Sequence, residues 1–450
     1  MKGIRKTISV FLGAAMCAAC IFPAAACGTQ GGLDEMPQYT EDKTMLIGGW
    51  DNPPATAAAY KTAADMGLNF MFMGARFAAY GSEEYRRQVA TAGEQGIKSM
   101  ILVGSAQGSE ATGGYDWVAS YKDDPNVLGI NYWDEPSYPV LQTTIQENLV
   151  WHNETFAGTD KAFYVNLYPN YVASGDLQGA YSDYLALYAQ TMSRSETGDR
   201  WMSVDFYPLK LASGGSAVDT AWLGNLEQIA AARKETGAEI FHSFLLATPH
   251  YNYREISEAD LRYQAWVNMA YGVNALSYFT YRRSSIESFG DSLVDMNGNP
   301  MPLYYGAQKV NAELHAIEDV YLSFDWQGMY PVTGSANEDV DGEGVSMYFR
   351  SLDHSLTELQ AVSSVTAVQD TLVGEFTDKD GNYGYVVANF ADPYFEEESD
   401  SSVTLAFRNA NRAIVCKNGE IKTYQVTDNT LTINLDAGEG AFVVPVLLNV

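Results

Sequence analysis

Cysteine, histidine and basic side chains are scarce in this sequence, and each scarcity removes a class of chemistry. Four cysteines occur in 450 residues: Cys17, Cys20, Cys27 and Cys416. The first two fall in an N-terminal apolar run, so the folded part has no pair for a disulfide framework and no thiolate set for zinc. The five histidines are widely spaced, with no HExxH-like pair, so neither a metal site nor a cofactor is expected. Lys and Arg number 27 against 56 Asp and Glu, a formal net charge of −29. Binding to nucleic acid rests on neutralising phosphates, which so acidic a chain does badly, and no polybasic membrane patch is present. No Gly-rich phosphate turn follows an early strand, because Leu102-Val-Gly-Ser-Ala-Gln-Gly108 lacks the GxGxxG spacing.

Aromatic residues, by contrast, are plentiful: 30 Tyr and 8 Trp. Their flat apolar faces and polar tips suit sugar rings as well as core packing.

At the N-terminus, Lys2, Arg5 and Lys6 precede an apolar run from Ile8 to Phe22, too short and wrongly flanked for a stable span. Residues 1–26 therefore read as an export signal. Pro23-Ala-Ala-Ala-Cys27 resembles a bacterial lipoprotein signal, which would make Cys27 the lipidated first residue of the mature chain. Ala24 stands where Leu is usual in that pattern, and cleavage after Ala26 is the alternative. With a flexible linker over 27–44, the expectation is an exported protein. It is anchored on the outer face of the cell membrane, touching the membrane only through Cys27, or it is secreted.

From Met45 to Tyr321 strand-like and helix-like segments alternate eight times. The strands are read at Met45–Trp50, Leu68–Met73, Ile97–Val103, Val127–Trp133, Ala162–Leu167, Trp201–Phe206, Glu239–Leu246 and Val273–Thr280. Eight such units match a (β/α)8 TIM barrel, which usually takes about 250 residues. The fold class expected is thus an α/β TIM barrel over 45–323, followed by a small antiparallel β-sandwich over 324–450. There helical spacing gives way to short alternating strands, among them Gly344–Leu352 and Tyr383–Asn389. Turns such as Asp378-Lys-Asp-Gly-Asn382 separate them, and Glu396-Glu-Glu-Ser-Asp400 reads as a solvated loop.

A barrel carries its chemistry at the C-terminal ends of its strands. The fourth strand runs straight into Asp134, Glu135 and Pro136, placing two acids where apolar chain emerges. Glycoside hydrolysis needs two carboxylates, about 5–5.5 Å apart for retention or about 6.5–9.5 Å for inversion. Glu135 is the candidate general acid, since burial raises a carboxyl pKa, with Asp134 beside it. The plainer reading of the two acids is an arginine partner or a helix cap. Asp205, at the sixth strand's end, is the candidate base or nucleophile, or else a buried acid bracing the mouth. Asp51, Glu255, Glu287, Asp291 and Asp295 are reserves. Trp50, Trp133, Tyr168, Tyr207 and Tyr281 are expected to form a sugar platform, with Asp51, Arg76, Asn166, His250 and Arg282 as further substrate contacts. His242 lies within the seventh strand and reads as a satisfied barrel histidine.

Trp133-Asp-Glu-Pro136 resembles the acid/base strand of the glycoside hydrolase clan that includes the family 42 β-galactosidases. Tyr164-Val-Asn-Leu-Tyr-Pro-Asn170, Asp205-Phe-Tyr-Pro208 and the stretch from Glu258 to Gly272 are similar to bacterial barrel proteins related to that family. So are Ser277-Tyr-Phe-Thr-Tyr281 and Val294-Asp-Met-Asn-Gly298, and the likeness covers residues 45 to 323. It implies a glycosidase acting on oligo- or polysaccharide. The clan's nucleophile is a Glu at the end of the seventh strand, whereas Glu239-Ile-Phe-His-Ser-Phe-Leu-Leu-Ala-Thr248 ends without an acid. The second function class is therefore a non-catalytic glycan-binding lipoprotein on a degenerate barrel. A third is a barrel hydrolase or lyase of another bond.

Overall fold

The structure, a computed structural model, describes residues 39, 43–103, 116–172, 174–286, 288–337 and 344–448. All belong to one compact unit, Met36–Val450. Residues 1–26, read above as an export signal, and Cys27 and Glu287 lie outside the described residues.

Eight parallel strands form a (β/α)8 barrel: β1 (Leu46–Gly49), β2 (Phe70–Met73), β3 (Lys98–Leu102), β4 (Val127–Asp134), β5 (Ala162–Asn166), β6 (Trp201–Val204), β7 (Ile240–Leu246) and β8 (Ala275–Phe279). They pair as two four-stranded sheets, β1-β8-β7-β6 and β2-β3-β4-β5. One seam is closed by a parallel bridge between Leu167 and Val204. At the other, the Asn69 backbone N–H bonds Ile47 O at 2.9 Å and its side chain bonds Met45 O at 2.7 Å. The short two-residue strands Leu209–Lys210 and Ala217–Val218 form a hairpin after β6.

Aromatic rings fill the barrel interior, where branched aliphatics are the usual occupants. Phe72 lies 5.6 Å from Phe244 and 5.2 Å from Tyr164, and Tyr164 lies 5.4 Å from Trp201. Large flat rings leave gaps that small hydroxyls and an imidazole occupy, and this is how Ser203, His242 and Ser277 come to be buried at the axis.

The helix Glu258–Ala270 starts at a capping box in which Ser257 and Asp260 satisfy each other's backbone. Every residue from Asp260 to Ala270 is buried, which marks a helix covered on all sides. Its second cover is the C-terminal β-structure, two antiparallel sheets in a sandwich. The larger contains β9 (Phe324–Val332), β11 (Thr371–Asp378), β12 (Tyr383–Asn389), β14 (Ala410–Lys417), β15 (Glu420–Gln425) and β17 (Gly440–Leu447), in the order β9-β11-β12-β17-β14-β15. The smaller contains β10 (Val362–Ala367), β13 (Ser401–Phe407) and β16 (Thr430–Leu435). Contact with the helix is so close that a Cβ on Gly374 would meet Ala270 O at 2.3 Å, and one on Gly440 would meet the Trp266 ring at 2.5 Å.

Three details differ from the sequence reading. Gly344–Leu352 forms turns and no strand. Its alternation of Val345, Met347 and Phe349 does not match burial, since Val345 and Met347 are exposed while Phe349 is buried. Strands β9 and β10 are hidden in the sequence because Pro331 and Gly328 break the pattern of one and serines thin the other. The acidic run is a 3-10 segment, Pro393–Ser399, with Glu396 to Glu398 exposed and Ser399 buried.

Candidate active site

The mouth is organised by an irregularity in β4. Asn131 pairs with Tyr164 and Trp133 with Val165, so one residue of β4 is extra there. Such a bulge re-aims the residues beyond it, and Asp134 comes into register with Asn166 on β5. Glu135 then adopts a φ of 56°, a left-handed conformation that costs a non-glycine residue about 1–2 kcal/mol. Its backbone N–H is held by Asn166 O at 2.9 Å, and Tyr184 donates to Pro136 O at 2.9 Å.

Asn166 links two acids. Its Nδ2 donates to Asp134 Oδ1 at 3.0 Å and to Asp205 Oδ1 at 2.7 Å. The two carboxylate oxygens share one nitrogen and cannot be further apart than those two bonds laid end to end. The orientation of the amide is fixed from below. Ser203 Oγ donates to Asn166 Oδ1 at 2.8 Å, which uses the only proton that hydroxyl has. Ser203 must then accept from its other neighbours, Tyr164 OH at 2.6 Å and His242 Nδ1 at 2.8 Å. His242 thus carries its proton on Nδ1 and accepts from Ser277 Oγ on Nε2 at 2.8 Å. Burial lowers its pKa to about 3 and keeps it neutral. It is a satisfied interior histidine, as the sequence suggested.

The three carboxylates hold their protons unusually well. Burial, then the Asp134 charge, pushes Glu135 up to about 7. Burial raises Asp134 to about 6 against the lowering effect of Asn166. Asp205 is raised well above the ordinary range by burial and by the charges of Glu135 and Asp134, with Asn166 and Tyr207 pulling the other way. Among the described residues the Glu135 carboxyl has no hydrogen-bond or ion-pair partner. No cation among them neutralises this cluster, and like charges so close cannot all ionise.

The expected contacts divide. Half-buried Tyr168 lies near the acids, as does buried Tyr207, whose hydroxyl stands by Asp205 outside hydrogen-bond geometry. Trp133 is half-buried against the core. His250 sits among Phe289 at 4.6 Å and Tyr253 at 4.7 Å and donates from Nδ1 to Thr248 O at 2.8 Å, leaving Nε2 as an acceptor. Tyr281 is fully buried beneath Gly49 and offers no platform. Asn166 is buried and its amide is committed to the acids and Ser203. Arg282 is committed too: Nη2 bonds both oxygens of Asp51 at 2.9 Å, Nε bonds Asn52 O and Nη1 bonds Arg283 O. Among the reserves, Asp51 is thereby neutralised, Glu255 is exposed, Asp291 pairs with Arg283, and Asp295 ties a surface turn.

Trp50, Asp51, Asn52, Phe72 and Arg76 line a recess of about 350 Å³ on the β1–β2 side of the mouth. Tyr171 and Tyr253 were not anticipated, yet their hydroxyls feel the charges of Asp205 and Glu135. Their signal was only a tyrosine in each loop after β5 and β7. No acid stands at the end of β7; Thr248, two residues past it, accepts from Thr280 N–H at 3.1 Å. Among the described residues no group of three or more His, Cys, Asp or Glu side chains could hold a metal ion, and no helix is long and apolar enough to cross a membrane.

No family model and no curated protein matches this chain. Among solved structures it is similar to a β-galactosidase from the psychrophilic Marinomonas ef1, with 10% identity, 63% of this chain and 62% of that one covered, and a TM-score of 0.37. A polyextremophilic β-galactosidase from the Antarctic haloarchaeon Halorubrum lacusprofundi gives 12%, 62%, 58% and 0.37 in the same terms. The chain thus spans less than two thirds of the length of both. A GH27 β-L-arabinopyranosidase from Geobacillus stearothermophilus gives 11%, 90%, 97% and 0.49. Likeness of this degree says nothing of chemistry, which rests on the residues described above.

Proposed function

We propose that this chain is a glycoside hydrolase of oligo- or polysaccharides, with Glu135 as general acid and Asp205 as the carboxylate that activates water or attacks the anomeric carbon. The observation that carries this is the Glu135 carboxyl, without a partner among the described residues and pushed up to about 7 beside two further acids. Glycoside hydrolysis needs one proton delivered to the leaving oxygen and one negative charge facing the anomeric carbon. Carboxylates that cannot all ionise divide the labour in that way, and Asp134 assists by keeping Glu135 protonated. Kinship with the family 42 group is part of the proposal and rests on the sequence segments of β4 to β8. Export, with Cys27 bearing lipid at the cell surface, rests on the N-terminal sequence alone.

A second reading, sugar binding without cleavage, is favoured by the lack of an acid at the end of β7, where the resembled clan carries its nucleophile. A panel of neutral and acidic glycans separates the two, with product anomers followed by NMR. Hydrolysis by the wild type and its loss in Glu135→Gln supports the first reading. Binding without release of any reducing sugar supports the second, and full activity in Glu135→Gln removes Glu135 from the mechanism.

A further inference from the structure

The mouth is electrically lopsided. The three acids lie at the ends of β4 and β6, while among the described residues the β1–β2 side carries two guanidiniums and one carboxylate. Asp51 sits between them with a φ of 70° that turns it across the strand end. Arg282, whose side chain is 3% exposed, satisfies Asp51 by itself, with Nη2 at 2.9 Å from both oxygens. Arg76 adds only a contact from Nε to Asp51 Oδ1 at 3.0 Å and one from Nη1 to Ser285 Oγ at 3.5 Å. Its Nη2 has no partner among the described residues, and its side chain is 42% exposed. Among the described residues one positive charge is therefore left over, and Arg76 lines the recess together with Trp50 and Phe72.

In so acidic a protein, a surplus guanidinium beside a half-buried tryptophan in a recess is a feature with a direction. An aromatic face accepts the apolar side of a sugar ring. A guanidinium edge matches a carboxylate in plane and charge, where a hydroxyl needs only a neutral partner. The opposite acidic wall would repel an anion placed there, so a charged sugar has one favourable seat and one favourable orientation. We propose that the recess is a subsite for a sugar bearing a carboxylate, a uronic acid residue held by Arg76 over Trp50, so that the chain's substrates are acidic glycans. This rests on the hydrolase reading of the same mouth and specifies its substrate class.

The test is calorimetric titration of the mature chain carrying Glu135→Gln, with oligogalacturonides and neutral galacto-oligosaccharides of equal length as probes. Arg76→Met and Arg76→Lys are compared with the parent. Asp51 keeps its Arg282 partner in both, so the strand end remains satisfied. The expected result is tighter binding of the uronate oligomer, weakened about ten-fold or more in Arg76→Met, only partly restored in Arg76→Lys, which keeps the charge but not the planar edge, and falling with salt. Equal or tighter binding of the neutral oligomer, or indifference to Arg76→Met, overturns the proposal. Binding of a sulfated but not a carboxylated oligomer overturns the uronate assignment. Cleavage of a neutral glycan unaffected by Arg76→Met sinks this inference and leaves the hydrolase standing. Failure of wild type to cleave any glycan, neutral or acidic, sinks the hydrolase reading and this one with it.

Discussion

Ser203 gives its single hydroxyl proton to Asn166, Oγ to Oδ1 at 2.8 Å, and this bond decides which face of the amide meets the acids. Turned the other way, Asn166 would present an oxygen to two carboxylates. Ser203→Ala removes three buried hydrogen bonds and leaves their partners unpaired, so it is expected to cost about 1–3 kcal/mol of stability. Asn166→Leu goes further and removes the donor whose bonds lower Asp134 and Asp205. The apparent pKa values of the acid cluster should rise in both variants, more in Asn166→Leu. Titration of ¹³C-labelled carboxyls reads this without a substrate, and unchanged pKa values would refute the bridging role.

Glu135→Gln keeps the shape and removes the proton. Loss of a general acid should lower kcat about 10²–10⁴-fold, with KM altered far less. In the wild type, kcat/KM should decline as pH rises through about 7, where Glu135 gives up its proton, and decline again at low pH as its ionised partner is neutralised. A profile flat through pH 7 would count against Glu135 as the acid.

The same shifts bear on stability. Glu135 goes from its ordinary value of 4.5 to about 7 and Asp134 from 3.8 to about 6 on folding, so the folded chain binds these protons more tightly than the unfolded one. Their contribution is present below the unfolded values and is lost as pH rises towards 6 and 7, on the order of 1 kcal/mol or more. His242 and His152 act oppositely: burial lowers them to about 3 and about 4, so their contribution is lost as pH falls below 6.5. Replacing Glu135 with Gln should therefore raise Tm at pH 8 relative to wild type and leave it nearly unchanged at pH 4. An equal gain at both pH values would contradict this linkage.

Gly374→Ala tests the joint between barrel and sandwich. Its new Cβ would lie 2.3 Å from a helix carbonyl, a backbone atom that cannot swing aside. Overpacking of this kind costs about 1–3 kcal/mol. Thermal unfolding should move to lower temperature, with barrel and sandwich still melting together. An unshifted Tm would mean that strand and helix can part there at no cost.

The alternation of segments made the barrel legible in the sequence, because buried parallel strands read as apolar runs and their helices as amphipathic ones. Asp134, Glu135 and Asp205 could be picked out for the same reason, since an acid at the end of an apolar run stands out. What chain order does not show is which partner a side chain finds across the mouth. Arg282 and Tyr281 are neighbours in sequence at the end of β8, yet one is locked onto Asp51 and the other is buried under Gly49. Tyr171 and Tyr253 reach the acids from loops whose paths no periodicity reveals. Asn166 looked like a hydroxyl-binding amide because its role depends on Ser203, a residue from the next strand.

The order of strands in the larger sheet has a consequence for how the molecule is assembled. β17, Gly440–Leu447, is the last strand in sequence, yet it lies between β12 and β14 in the interior of the sheet. While the chain is being made, that slot stays open until Gly440–Leu447 has emerged. The face of Glu258–Ala270 that meets Gly440 is uncovered for as long. A chain interrupted before Gly440 would leave a nearly complete barrel with a split sheet beside it, a natural substrate for chaperones and proteases.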